Sequence, residues 1–326
     1  MSDLSEIGEF GLIRRFTPFF DPDSDVLVGP GDDCAVFQSG DTCWLVSSDA
    51  FVEHIHFRRD WSTYDQIGFK AAAVALSDIA AMGGTPRFLI VSLVIPSDCS
   101  PEDLELLYVG LHRAAIRANS VVIGGDTCRS GSDLMIDVTV LGESKPDEYQ
   151  TRSGARPDDF FIVTGSPGRS AGGLAALQKE LDLPELIEAH HTPPARYAEG
   201  QWLAQHSDVR ALIDISDGVV QDGGHIADAS GVGLAFTAAS VAMDPALMDV
   251  AMETGDSVPD IVFYGGEDYE LGAAIAPENC GKLLKAFEKE FGYRAFILGE
   301  FTEAVTGILV DGVPPEITGH DHFKTT

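Results

Sequence analysis

Positive charge is scarce in this 326-residue chain: 21 Lys and Arg stand against 52 Asp and Glu, and only 7 of those cations are lysines. The net charge of −31 argues against nucleic acid and anionic membranes as general partners, since both recruit basic surfaces. An acidic, lysine-poor surface would also suit a salt-rich cytoplasm. No run of 18 apolar residues occurs, and Met1–Glu6 carries no basic-then-apolar leader. A cytoplasmic protein without a membrane span is therefore expected. Cysteines are few and odd in number (34, 43, 99, 128 and 280) and form no CxxC pair, which fits reduced thiols better than a disulfide framework or a zinc site. Also missing are a Walker A loop, a GxGxxG loop and any legible Ser-His-Asp or Cys-His arrangement. Nucleophilic catalysis and the standard nucleotide loops thus lose their usual signatures.

What the chain has in quantity is carboxylate on turns. Gly29-Pro30-Gly31-Asp32-Asp33 puts two like charges side by side before a strand, Cys34–Phe37; a solvated acidic turn or a hard cation would relieve them. The scheme of apolar strand, small residue and Asp recurs at Cys43–Asp49 (with Ser47 and Ser48), at Ser120–Thr127 (Gly124, Gly125, Asp126) and at Leu212–Gly218 (Asp214, Ser216, Asp217). It returns in Tyr264-Gly-Gly-Glu267-Asp-Tyr-Glu-Leu271. Such residues are read as ending strands. The HxH of His54 and His56 would put both rings on one side of an extended segment.

Helices are expected at 5–16, at 65–82, after the Ser100-Pro101 cap, at 174–181, at 219–230 with Gly231 closing it, and at 281–292. Asp78 lies late in the alanine-rich 65–82 helix among apolar neighbours, where a bare charge needs a partner. Leu104, Leu107, Tyr108 and Leu111 form an apolar stripe. Arg87–Pro96 reads as a buried strand, and Leu134–Glu143 turns Leu134, Ile136, Val138 and Val140 inward. The glycine loop 165–173 is either a phosphate loop at a helix start or a plain strand–helix connection. Length favours two domains, and polar residues 144–157 mark the boundary, giving 1–148 and 149–326. Both halves are of α/β (α+β) character.

Six carboxylates, Asp33, Asp49, Asp78, Asp126, Asp214 and Asp217, exceed what one acid/base pair needs. They suit several Mg²⁺ ions holding a polyphosphate, because phosphoryl transfer asks chiefly for positioning and charge neutralisation. GPGDDCAVF, SSDAFVEHIHF, ALSDIAAMGG, IGGDTCR, IDISDGVVQD, YGGEDYEL and DHF resemble, in this order, the thiamine-monophosphate kinases. These belong to the superfamily of aminoimidazole ribonucleotide synthetase, selenophosphate synthetase and the hydrogenase maturation factor HypE. GDD and GGDT are common to that superfamily; DxSDG and GGEDYEL point to the kinase.

The resemblance implies a two-domain AIR-synthetase-like fold, with a sheet-rich N-terminal ATP-binding and dimerisation domain and a C-terminal α/β domain. It implies a homodimer and ATP-dependent phosphorylation of thiamine monophosphate to thiamine diphosphate by direct in-line transfer. By the same resemblance Asp33, Ser47, Ser48, Asp49, Asp78, Asp126, Asp214 and Asp217 hold Mg²⁺. Gly125, Asp126, Arg152, Ser216 and Tyr108 meet ATP, although Tyr108 reads more readily as core. His56, Glu267 and Phe323 touch the thiamine moiety. Ser48 stands where Thr is common, and His54 where Gly or a small residue is. The alternative is a sister enzyme: selenophosphate synthetase would use a reactive cysteine, for which Cys34 is the candidate, and HypE a C-terminal cysteine, which the tail lacks. A non-enzymatic acidic protein would carry its carboxylates on helix faces.

Overall fold

Two six-stranded sheets, built from opposite ends of the chain, carry the molecule. The computed structural model describes residues 4–21, 23–316, 319, 320 and 323, with the side chains of 5, 6 and 10 excepted. Asp321 and His322 of the tail motif therefore lie outside the described residues.

The first sheet contains β1 (Val26–Val28), β2 (Ala35–Ser39), β3 (Thr42–Val52), β4 (Thr85–Ile95), β5 (Val121–Arg129) and β6 (Met135–Ser144), ordered β1-β2-β3-β6-β4-β5. Its helices are α1 (Leu4–Phe16), α2 (Tyr64–Ala81) and α3 (Pro101–Arg117). Period-two alternation makes the two faces of this sheet different. Leu45, Leu89, Val91, Ile136, Val138 and Val140 are fully buried on the inner face, as the alternation in 134–143 predicts. On the outer face Trp44, Val46, Phe88, Ile90 and Leu141 remain half-buried.

The second sheet contains β7 (Phe160–Thr164), β8 (Val209–Asp214), β9 (Gly233–Phe236), β10 (Leu271–Ile275), β11 (Ala295–Thr302) and β12 (Ile308–Val310), ordered β12-β9-β11-β7-β10-β8. Around it lie α4 (Arg169–Lys179), α5 (Pro184–His191), α6 (Tyr197–Ala204), α7 (Val219–Ser230), α8 (Pro245–Thr254), α9 (Val258–Tyr264) and α10 (Cys280–Phe291). Every residue of β10 is buried, because separate apolar clusters cover the sheet on each side.

α2 is the shaft between the halves. A Thr63–Gln66 capping box starts it, and its alanines allow close approach. Gly68 lies against the Leu107 carbonyl and Gly110 against that of Asp65, so a Cβ at either would strike backbone. Gly200 of α6 presses in the same way on the carbonyl of Ala80. Ala80 and Ala81 share a buried cluster with Leu203, Leu212 and Leu271 of the second half.

Several expectations change. α1 is interrupted at Gly8, whose φ of 66° and ψ of 174° leave the helix. α4 begins at Arg169, so Gly172 and Gly173 sit inside it; there Gly173 lets the Leu186 backbone of α5 approach. α5, α6, α8 and α9 carry no strong periodic signal and were not anticipated. Asp49 and Asp126 lie within β3 and β5 rather than at their ends. Tyr108 is 40% exposed, unlike Leu107 and Leu111, so it is not core.

Candidate active site

Four carboxylates converge under the inner face of the first sheet. Asp49 comes from β3, Asp78 from the late part of α2, Asp33 from the acidic turn and Asp214 from the end of β8. Oxygens of Asp33, Asp78 and Asp214 lie within 4.8 Å of one another. Asp49 and Ser47 are close enough to Asp78 to shift its charge balance. Ser77, fully buried on α2, donates to Asp214 at 2.6 Å and so ties the cluster across the two halves.

Desolvation dominates the electrostatics here. Burial, then Asp49, Asp214 and Asp33, push Asp78 well above the ordinary carboxylate range. Burial raises Asp214 to about 7, with Asp33 adding and the Ser77 hydrogen bond opposing. Asp49 rises to about 6, also chiefly by burial, and so does Asp32, which Asp33 crowds as well. The nearest positive charge is Arg152, whose guanidinium meets Asp33 at 2.7 Å. Even so, Asp33 Oδ2 and Asp49 Oδ2 are buried with no hydrogen-bond partner among the described residues. An all-oxygen cluster with orphaned acceptors has the donor set that hard divalent cations favour. The residues fit such ions.

The loop after β8 is organised by the last residue of the IDISDGVVQD motif, to which the sequence reading assigns no role. Asp222, buried in the first turn of α7, accepts the backbone N–H groups of Ser216, Asp217 and Gly218 at 2.9–3.0 Å. Its signal is an acid in the first turn of a helix that follows an Asp-rich strand end. Asp32 likewise accepts the Arg152 backbone N–H at 3.1 Å.

Next to the acids is a cavity of about 530 Å³ with two contrasting walls. One carries Asp49, Asp78, Asp214, Ser216 and Asp217; the other carries Phe51, Ile55, His56, Leu174, Tyr264, Glu267 and Tyr269. His56 stacks on Phe51 at 5.5 Å and accepts the Val52 N–H on Nδ1. Segment 53–57 is a turn, not extended. His54 adopts φ 68° and points to Asp133 at 3.7 Å, so the HxH pair does not act as one unit. A left-handed backbone at His54 is the conformation that glycine adopts most easily.

The acidic motif of 267–270 divides by parity. Glu267 and Tyr269 face the cavity, and both hold positive φ (64° and 50°), a strain of order 1–3 kcal/mol each. It is maintained by backbone hydrogen bonds from Glu267 to Ser216 and from Tyr269 to Ile215. Asp268 and Glu270 face the other way. Asp268 accepts the Gly168 and Ser170 N–H groups, occupying the start of α4. The 165–173 loop is therefore a capped helix entry rather than a phosphate loop. Glu270 takes a paired contact from Arg196 at 2.7 Å.

Other candidates stand apart from this cluster. Cross-strand rows run Asp49–Val138–Val91–Gly125 and Ala50–Asp137–Ser92–Asp126. Gly125 and Asp126 are therefore three strand spacings from Asp49, about 14 Å. Ser48 and Asp126 belong to the outer face, and Ser48 bonds Asp137 at 3.2 Å there. Tyr108 is exposed on α3. Phe323, 39% exposed, does not line the cavity, although Gly319 and His320 do. Cys34 is fully buried with its thiol pushed far up by burial, unlike a reactive cysteine.

Residues 31–144 match the AIR synthase related protein N-terminal domain, and 156–311 match the corresponding C-terminal domain. Thiamine-monophosphate kinase of Mycobacterium tuberculosis (strain H37Rv) is 36% identical over 327 residues, covering 99% of this chain and 92% of the relative. The Escherichia coli (strain K12) enzyme of that name is 35% identical over 98% of this chain and 99% of its own length. A solved structure of AaThiL complexed with AMPPCP and TMP superposes with a TM-score of 0.87 at 29% identity, covering 99% of each chain. E. coli HypE shares the fold at 21% identity, with a TM-score of 0.69. By these matches the chain belongs to the thiamine-monophosphate kinase family.

Proposed function

We propose that the protein transfers the γ-phosphoryl group of ATP to a phosphate oxygen of thiamine monophosphate, giving ADP and thiamine diphosphate. The observation that carries this reading is the cavity with two walls. An aromatic and acidic wall (Phe51, His56, Glu267) suits a flat cationic ring system, and it lies beside a carboxylate cluster suited to cation-bound phosphates.

The ions fitting that cluster are divalent, Mg²⁺ by its oxygen preference, held by Asp33, Asp49, Asp78 and Asp214, with Ser47 and Asp217 beside them. Bound there, they supply the positive charge that lets two phosphates approach in a protein of net charge −31. Asp222 fixes the loop that presents Ser216 and Asp217. Arg152, held by Asp33, is the guanidinium available to the nucleotide's phosphates. The acceptor oxygen is already anionic, so no general base is needed.

The outer face of the first sheet bears exposed Val121 and Ile123 of β5 beside half-buried Trp44, Phe88 and Ile90. An apolar face of this kind fits a second copy of the chain in a homodimer. Docked there, β5 would bring Gly125 and Asp126, with Tyr108 nearby, to a partner's acid cluster, which accounts for their distance from their own. Free cysteines suit a cytoplasmic setting.

The test is incubation with Mg²⁺, ATP and thiamine monophosphate. ADP and thiamine diphosphate are expected in equal amounts, and a chelator should stop both. ATP hydrolysis without thiamine diphosphate would favour a sister enzyme of the superfamily, and absence of nucleotide binding would sink the reading.

A further inference from the structure

We propose that Lys70, a residue outside the cavity, is the positioning residue that aims Glu267 at the cationic part of the substrate across the junction of the two halves. This rests on the kinase reading above and adds to it a residue that none of the motifs contains in a functional role.

Lys70 is on α2, and its side chain is 4% exposed. A buried lysine requires compensation, and its Nζ finds it in Glu267 Oε1 at 3.1 Å. It also meets His190 Nε2 at 3.4 Å. An ammonium can only donate, so Nε2 is the acceptor and the His190 proton is on Nδ1. That proton is directed at Ser170 Oγ, 3.1 Å away. His190 stays neutral: burial first, then Lys70, lower its pKa to about 3. Lys70 thus joins α2 of the first half to α5, to the start of α4 and to the 267 turn of the second.

The arrangement does more than fill space. Lys70 does not line the cavity, whereas Glu267 does. The ammonium holds one carboxylate oxygen from behind; the second lies 3.7 Å from His190 Nδ1, outside hydrogen-bonding distance, and can take a positive charge in front. Burial alone would raise the Glu267 pKa, but the Lys70 ammonium outweighs that and keeps it below the usual carboxylate range. Phe51, which lines the cavity together with Glu267, has its ring centroid 6.0 Å from Lys70 Nζ. One side chain therefore sets the spacing between the aromatic wall of one half and the carboxylate of the other. Glu267 also holds a left-handed backbone, which its side-chain anchor helps to maintain.

The experiment is a double-mutant cycle on the full-length protein with separate KM values for thiamine monophosphate and ATP. Lys70→Met is expected to raise the KM for thiamine monophosphate about tenfold, the size of one lost charge-assisted contact, while the KM for ATP moves less than about twofold. Glu267→Gln should give a similar change. Lys70→Met in the Glu267→Gln background should then add under about twofold, because both substitutions remove one interaction. Equal rises in both KM values, or additive effects in the double variant, would mean a merely structural lysine and overturn the proposal. If Lys70→Met does not fold, Lys70→Arg keeps the charge with altered reach and should raise only the thiamine monophosphate KM; an unchanged value overturns the proposal. A wild-type protein that forms no thiamine diphosphate would instead overturn the kinase reading itself.

Discussion

The two faces of the N-terminal sheet carry similar short motifs and have opposite environments. On the inner face Asp49 joins Asp33, Asp78 and Asp214 in a buried cluster with unpaired oxygens. One residue earlier on the same strand, Ser48 points outward, on the face of Asp137 and Asp126. Serine–aspartate and glycine–aspartate pairs look alike in a one-dimensional sequence. In a strand, a step of one residue moves a side chain across the sheet. The difference teaches that a strand-borne site is half-specified until its parity is known.

The largest effects should come from asking whether the two faces build one site. Asp49→Ala and Asp126→Ala are each expected to lower kcat by on the order of 10²–10³, as for lost electrostatic stabilisation of a transition state. Mixing the two inactive proteins under subunit exchange should restore activity, because a mixed dimer has one intact pairing of inner cluster and partner Asp126. Failure to restore it, with dimers demonstrably mixed, would return each site to a single chain.

Next in size is the outer face itself. Ile90→Asp puts a charge on a surface that a second copy would cover, at about 2–5 kcal/mol if fully desolvated. Sedimentation should then report a monomer, with activity falling in parallel. A dimer unaffected by Ile90→Asp would mean that subunits meet elsewhere.

The inner face predicts a pH effect of opposite sign to the usual carboxylate. Folded-state pKa values of about 6 for Asp49 and about 7 for Asp214 lie above the unfolded value. Their contribution to stability is therefore present below about pH 4 and is lost as pH rises through 6 to 7. In the metal-free protein the melting temperature should fall by a few degrees between pH 5.5 and 8. Mg²⁺ should recover most of that loss, and Asp214→Asn should flatten the profile. A melting temperature that climbs over this interval without metal would contradict the burial argument. The smallest effect belongs to Asp137→Asn, which only rearranges hydrogen bonds around Ser48; kcat should stay within about twofold.

Much of this was legible because motif spacing reports chemistry. The inner acids Asp33, Asp49, Asp78 and Asp214, the capped α2 and the alternation of β6 all follow from local patterns. What escaped depends on contacts distant in sequence. Asp222 looks like an ordinary first-turn acid until its three N–H donors are seen. Asp268 and Glu270 read as more ligands of an acidic motif, yet their parity sends them to cap α4 and clamp Arg196. The glycines of α4 suggest a loop by propensity, and the close approach of α5 makes them helical. Lys70 lies within an alanine-rich run with no mark of function until its partner arrives 197 positions later at Glu267.

The glycine contacts of α2 have a consequence for how the molecule comes apart. Its early turns are pressed on α3 and its last turn is built into the apolar cluster of the opposite half. Neither sheet can lose its packing while the other keeps this helix intact. Despite two separate sheets, heating should therefore produce one calorimetric transition, with the van't Hoff and calorimetric enthalpies in agreement.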